Sequence, residues 1–529
     1  MTDQDGGVGK APVQILRANS SVTSGLEVSE RLIAAASAFA DLLRPTYGPK
    51  GLDKMLYKTS GQTAITNDGA KIVSELMVKH PSAKIFVSLG QAQESFAGDG
   101  VTGCLLFAGA LMHEAGLLLG RGMHPLQLIE GYTSALEVSL TTISEHTRPC
   151  SDDDLSSIAR TSMTGKLTTD NSETLAALVV DAILLVRRKE DDGIRCSSED
   201  VLMSRSGTGS SSGSRLIRGM VLEQRLETDR LPQHLEDVRV IVLDSKLDFR
   251  ELKRDAEIEI EQPDQLTAFI EEEDRQIDAI SELLISTGVS AVFSTGDVHR
   301  DVLHSLATAG VFVLGGLDRI DADRLCRVCG ATLLNRVEDV EDSQFGRVGS
   351  MIIQRDQHEG EARERIIIDD CVWSEMATIE VGGSTLLEAE ESIRAIHDAL
   401  KSTALATRSG TLIPGGGFPH AAAAAAVRAA SVQQSGRPRL GMEAFARALE
   451  TIPASLASNA GRDSLDAVLE LRAGLRTGQS MLGVNAEGEV EGMSGVFEPA
   501  AALEHALASA TETVITLLRV DQLISARGD

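Results

Sequence analysis

Apolar positions recur at helical spacing through the first third of the chain. Leu32, Ala36, Phe39 and Leu43 fall on one stripe, as do Leu105, Leu106, Ala110 and Leu111, and Pro125 opens a further amphipathic run, PLQLIEGYTSALEVSLTTI. Residues 26–148 are therefore expected to be helical. The pattern continues over 152–190, where Leu175, Val179, Ala182 and Val186 share a face ahead of the charged RRKEDDG. Near residue 201 the period changes. SRSGTGSSSGS, at 204–214, has the composition of a flexible linker or a hairpin tip. Short β-branched runs follow at Val238–Val242, Ala256–Ile260, Val289–Phe293, Val311–Leu314 and Ala331–Leu334. Amphipathic helices alternate with them, notably Gln265–Ser286, with Leu266, Phe269, Ile270, Ile277, Ile280 and Leu284 on one face. Such alternation predicts a parallel-sheet α/β module. From Leu387 the helical period returns, through HAAAAAAVRAAS and GMEAFARALETIPASLASNAG to a last helix, EHALASATETVITLLRVDQLIS. The two α-rich segments are expected to pack together as one discontinuous domain, interrupted by the α/β module, with hinges where the chain passes between bodies.

Composition narrows the possible partners. With 50 basic and 78 acidic residues the formal charge is −28, which repels phosphate backbones and anionic lipid, so neither nucleic acid nor a membrane is an expected partner. One Trp, three Tyr and twelve Phe also leave little for stacking single strands. Lysine is scarce beside arginine, with none after Lys401, a bias that fits either a salt-rich cytoplasm or GC-rich codon usage. Six cysteines in 529 residues make no disulfide framework, and a chain of this length buries its core unaided, as three or four domains or one large body with insertions. MTDQDGGVGKAPVQI does not read as a signal peptide, and the longest apolar run, LLFAGALMHEAGLLLG, is broken by His113 and Glu114. A cytoplasmic protein is expected.

Four glycine clusters could carry chemistry: TYGPKG at 46–51, NDGA at 67–70, GDG at 98–100 and PGGG at 414–417. Glycine lets backbone N–H groups approach phosphate oxygens, a following helix N-terminus adds a favourable dipole, and a neighbouring carboxylate such as Asp99 or Asp68 is a hard ligand for Mg²⁺. Each cluster alone is a common turn, and the chain has neither GxxxxGK[ST] nor a GxGxxG following a strand.

Together and in order, these clusters resemble those of the group II chaperonins, the thermosome and TRiC type. The resemblance runs from PVQIL at 12–16 through NDGAKIVSELMVKHPSAK, EGYTSALE, TSMTGK at 161–166, DAEIEIEQPDQLTAFIEEEDRQ, RAIHDAL at 394–400 and AFARALETIPASLASNAGRDSLDAVLELRA to SATETVITLLRVDQLI, which is nearly the whole chain. It implies a multidomain α+β and α/β subunit. A mostly helical equatorial domain would comprise 1–149 and 403–529, an intermediate hinge domain 150–215 and 369–402, and an apical substrate-binding domain 216–368 with a helical protrusion serving as lid. It further implies an ATP-dependent chaperone that encloses and folds non-native polypeptides in a double ring of itself, and of paralogous subunits where these exist. A structural ring subunit or holdase with weak ATPase activity is the alternative.

By the same resemblance, Gly48, Gly100, Val101, Thr102 and Gly103 belong to the nucleotide loops, Asp99 binds Mg²⁺, Gly416 lies near the nucleoside of ATP or ADP, and Glu498 reaches the ribose. Asp398 is the implied catalytic carboxylate that orients or deprotonates the attacking water, Asp68 a second acid near it, and Lys166 a sensor of the γ-phosphate. Departures weaken the ATPase expectation. The family's GDGTTT reads Gly98 to Gly103 with Val101 and Gly103 in hydroxyl-bearing positions, GGGAxE reads GGG-Phe418-Pro419-His420, and Leu503 replaces a lysine. Lys71 replaces the threonine of NDGAT. At a helix start, a cation is favoured only beside an anion, so Lys71 either compensates at the nucleotide or points into solvent. Cys326 and Cys329 read as thiols at a helix end, only half a zinc site. His397 reads as a packing residue on its helix in preference to a second base beside Asp398, and EEED at 271–274 as a solvated face. The chain reaches SARGD without the Gly-Met-rich tail of many family members.

Overall fold

The structure, a computed structural model, describes residues 22–57, 63–78, 80–166, 169–191, 193–206, 213–228, 230–248, 263–358, 361–383, 385–479 and 481–524. The predicted strand Ala256–Ile260, PVQIL at 12–16 and the middle of the serine-glycine stretch lie outside the described residues. Helix and sheet are mixed in a multidomain α+β arrangement with several cores.

The largest core draws on both ends of the sequence. Helices Leu26–Leu43, Val101–Leu119 and Pro125–Glu145 pack with Phe418–Ser431, Pro438–Asn459 and Ala500–Leu518, so that Leu32, Leu105 and Tyr132 share one cluster with Phe445, Leu507 and Val514. Phe445 makes edge contacts with Phe107 at 5.3 Å and with Tyr132 at 5.7 Å, and the Tyr132 hydroxyl donates to the Leu111 carbonyl at 2.8 Å. Burying each such ring stabilises by about 1.5–3 kcal/mol. The Val101–Leu119 helix is long and apolar enough to cross a membrane, yet 67% of its apolar window is buried among other helices. Its apolar character on every side is that of a core helix.

A second core surrounds a seven-stranded sheet. Phe312–Leu314, Ala291–Ser294 and His234–Leu243 run parallel, with Val242 opposite Phe293. Gly346–His358, Glu361–Asp369 and Met220–Glu223 continue the sheet antiparallel, with Ile352 opposite Ile367. The parallel expectation therefore holds for only half of the sheet. The other half is a long hairpin whose outer residues, RDQHEGEARE, are polar and carry no strand signal. The helix Pro263–Ser286 covers this core through Ile277 and Leu284, and Glu271, Glu272 and Asp274 stay exposed. Cys326 and Cys329 end the helix Arg319–Cys329, where burial pushes both thiols up, Cys329 to about 11.

A third, smaller core packs helices Thr169–Val186 and Leu386–Ser409 on a three-stranded sheet centred on Ala377–Val381. Thr385 caps the Leu386–Ser409 helix through the Glu388 N–H at 3.1 Å, and Gly410 ends it. Its Ala395, Ile396 and Ala399 belong to the third core, whereas Ala406 packs with Leu412 and Phe497 at the edge of the first. One 24-residue helix thus ties the two bodies together.

Three segments predicted as helix contain strands. Lys54–Tyr57 pairs with Thr63–Thr66, Arg188–Glu190 pairs with Gly193–Arg195, and the last helix stops at Leu518, so that Gln522–Ile524 pairs with Val22–Ser24. These are short ribbons, and on the first of them Met55 and Tyr57 are 65% and 83% exposed.

Candidate functional site

Every site residue named from the sequence lines one cavity of about 460 Å³: Gly48, Asp68, Asp99, Gly100, Val101, Thr102, Gly103, Lys166, Asp398, Gly416 and Glu498. That volume lies in the range of small-molecule sites. The chain brings them together from both ends of the first core and from the helix that ties it to the third. Asp99 sits between Gly98 and Gly100, at φ 70° and 79°, conformations that side chains rarely adopt. This turn closes the helix Pro81–Ala97 and opens Val101–Leu119, so Asp99 stands at a helix N-terminus, with its Oδ1 accepting from the Gly100 N–H at 2.8 Å. Asp68 caps the helix Gly69–Glu75 by accepting from the Ala70 N–H at 2.9 Å, and the neighbouring Asn67 donates to the Gly165 carbonyl at 2.8 Å, tying this turn to the one that carries Lys166.

The strongest contact in the cavity joins Lys166 Nζ to Asp398 Oδ2 at 2.5 Å, with the two side chains only 14% and 9% exposed. Burial pushes the Asp398 carboxyl up, but Lys166 and His397 more than offset it, so Asp398 is held below the usual carboxylate range. Burial likewise opposes the charge on Lys166, which Asp398, Asp99 and Asp68 together hold firmly in place. Asp68 and Glu498 move the opposite way. Burial, then Asp398, raises Asp68; burial, then Asp99, raises Glu498 to about 7. The cavity therefore holds the firmly ionised Asp398 beside carboxyls, those of Asp68, Glu94 and Glu498, that burial disposes against ionisation.

This donor set fits a magnesium nucleotide better than a bare one. Asp68, Asp99, Asp398 and Glu498 outnumber Lys166 and would repel a free polyphosphate, whereas a divalent cation on the hard oxygens of Asp99 would offset much of that charge. Several glycines around the cavity also leave no room for side chains. A Cβ on Gly98 would overlap Lys401, one on Gly69 would overlap the Thr102 hydroxyl, and one on Gly416 would lie 2.6 Å from Met493 Sδ.

Two expectations are corrected. Lys71 does not line this cavity; it pairs with Glu75 at 2.8 Å, one helical turn on, with its side chain partly open to solvent. His397 is not packed: its side chain is 41% exposed, with Nδ1 4.0 Å from Asp398 Oδ1, in a second cavity of about 380 Å³ behind the first. There Glu94, His397 and Asp398 offer ligand atoms within 4.8 Å of one another, but Lys401 holds Glu94 at 2.9 Å and Lys166 holds Asp398. Sequence reasoning missed Glu94, Lys401 and Tyr47. None of them belongs to a glycine-acid cluster except Tyr47, inside TYGPKG, where the motif drew attention to the glycines instead. Val101 is 4% exposed and turns a methyl toward Gly90 of the neighbouring helix, and Leu503 is buried in the first core. His420 is buried with Nδ1 unpartnered among the described residues, and burial lowers it to about 4.

Comparison with known proteins agrees with this arrangement. A model of the TCP-1/cpn60 chaperonin family matches residues 39–528. Thermosome subunit 1 of Haloferax volcanii is 34% identical over 97% of this chain and 92% of its own length. The thermosome subunit beta of Archaeoglobus fulgidus is 33% identical over 98% and 95%, and the thermosome subunit of Methanopyrus kandleri is 34% identical over 95% and 93%.

Proposed function

This chain belongs to the TCP-1/cpn60 chaperonin family as a group II subunit, an ATP-dependent chaperone, and from that premise we propose that the cavity around Asp99 and Asp398 is its ATPase site. The observation that carries this reading is the convergence of residues from four sequence-distant glycine clusters, Lys166 and Asp398 on one cavity. Mg²⁺, held by Asp99, would neutralise phosphate charge. The glycines at 48, 100 and 103, with Val101 and Thr102, shape the phosphate cradle, and Gly416 and Glu498 face the nucleoside. Asp398, ionised against Lys166, orients the attacking water and accepts its proton. Asp68, with its raised carboxyl, holds the water from the other side.

The three cores support the division into equatorial, intermediate and apical domains, with the amphipathic segment after AEIEIEQPDQL as the proposed lid. Asp398 rides on the helix shared by the first and third cores, so a hinge movement between them carries the catalytic carboxylate toward or away from the phosphates. Exposed Leu52, Met55, Tyr57 and Met77, 65% to 92% exposed, support assembly with further subunits into a double ring that encloses non-native polypeptides. A holdase with weak turnover would rest on Val101, Gly103 and Leu503. It is the less favoured reading, because Asp99, Asp398 and Lys166 all stand in the cavity.

Electron microscopy of the purified protein, combined with Mg²⁺-dependent phosphate release in low and molar salt, tests the proposal. Double rings that hydrolyse ATP are expected. A monomer or dimer under all conditions, or rings without Mg²⁺-dependent hydrolysis, would overturn the assembly or the ATPase reading respectively.

A further inference from the structure

The first turn of the Val101–Leu119 helix has one hydroxyl, on Thr102, and the structure shows where it goes. A Cβ on Gly69 would overlap Thr102 Oγ1, so this hydroxyl packs over the backbone of the NDG turn. Val101 presents a methyl to Gly90, and Gly103 presents nothing. Tyr47 borders Gly103. A Cβ on Gly103 would lie 3.4 Å from both Cε2 and Oη of Tyr47, so the edge of the phenol stands where a side chain at 103 would meet it in van der Waals contact.

The Tyr47 ring is held from two sides, packing against the largest core and against a small cluster containing Leu456 and Val484. Its backbone is fixed as well: its N–H donates to the Arg44 carbonyl at 3.2 Å, and its carbonyl accepts from Asn459 at 2.8 Å. The hydroxyl has no hydrogen-bond partner among the described residues, and it lines the cavity within electrostatic reach of Glu498 and Asp99. A rigid phenol donor facing two carboxylates, with no protein acceptor, is placed for an acceptor that arrives with the ligand.

We propose that Tyr47 is a nucleotide-positioning residue whose hydroxyl donates a hydrogen bond to the phosphate chain at its ribose end, between Asp99 and Glu498, taking the part of the hydroxyl that Gly103 lacks. Two contacts absent from one helix turn are thereby replaced in part from another element, whose phenol lies next to Gly103. This inference rests on the cavity being the nucleotide site. Burial, then Glu498 and Asp99, raises the phenol above its ordinary range, so it remains a proton donor at every working pH.

The test is calorimetric binding of MgADP and adenosine to the assembled protein and its variants. Tyr47→Phe keeps the packed ring and removes only the hydroxyl. It is expected to weaken MgADP binding about 10-fold or more, the scale of a hydrogen bond to a charged phosphate, with adenosine binding and the melting temperature unchanged. Tyr47→Leu should bind as weakly, and Tyr47→Leu/Gly103→Thr, which restores a hydroxyl in the vacated space, should recover most of the loss. Equal MgADP affinity in wild type and Tyr47→Phe, or an equal loss for adenosine, overturns the phosphate contact. A double variant no tighter than Tyr47→Leu overturns the exchange with position 103. Wild-type protein that binds no MgADP overturns the site reading itself.

Discussion

Replacing Glu498 by glutamine in nucleotide-free protein should stabilise it at pH 8 and far less at pH 5. Glu498 faces the cavity with no ion-pair partner among the described residues, and burial, then Asp99, holds its carboxyl at about 7 instead of 4.5. Below 4.5 the folded and unfolded chains both keep the proton. Between 4.5 and 7 the unfolded chain loses it first, so stability falls as pH rises through this window, and above 7 the loss is complete. A gap of 2.5 pH units, 7 minus 4.5, corresponds to about 3 kcal/mol. Solvent reaching the carboxyl in the open cavity lowers this to about 2 kcal/mol. For a body of this size that is roughly 4–8 °C in melting temperature. Circular-dichroism melts of wild type and Glu498→Gln at pH 5, 6, 7 and 8 should show a difference that grows through the middle of this range. Asp68 and Glu94, also raised by burial, titrate in both proteins and cancel in the comparison. A gain of equal size at pH 5 and pH 8, or no gain at pH 8, would refute the argument that an ionised Glu498 is disfavoured in the empty cavity.

Asp398→Ala should slow phosphate release about 10²-fold or more while MgADP affinity stays within a few-fold of wild type, if the carboxylate acts on the water as proposed and not on the nucleotide; a loss confined to binding would remove Asp398 from the catalytic role. Lys71→Thr should leave the MgADP dissociation constant unchanged within about twofold, since its partner is Glu75; a clear loosening would return Lys71 to the nucleotide. Glu450→Ala should destabilise the first core by about 3 kcal/mol in denaturant titrations, because Glu450, 6% exposed, is the shared partner of Arg428 and Arg472. An unchanged midpoint would show that both guanidinium groups reach water instead.

The elements legible in the sequence are those whose burial imposes a period. Leu175, Val179, Ala182 and Val186, no more than 2% exposed, were readable as one helix face because a core lies under all four. The Lys54–Tyr57 and Gln522–Ile524 ribbons were not, because half-exposed strands of three or four residues leave no alternation to read, and their pairing is decided by tertiary contact. The same distinction holds in the site. Asp99, Gly48 and Gly416 announce themselves because a turn needs glycine and a metal needs a carboxylate, so their motifs are local. Tyr47 becomes a candidate only when the fold sets its ring against Gly103, a relation between residues 56 positions apart that neither motif contains alone. Lys71 shows the converse: the dipole argument rightly demanded an anion, and the chain supplies it locally with Glu75.

Hydrolysis positioned by Asp398 is proposed to drive enclosure and folding of non-native chains. It is tested most directly by the recovery of activity from a chemically denatured client enzyme, diluted into the assembled protein with MgATP, with MgADP, or with MgATP and the Asp398→Ala variant. Recovery above the spontaneous yield is expected only with MgATP and the intact carboxylate. Equal recovery in all three mixtures would contradict the account.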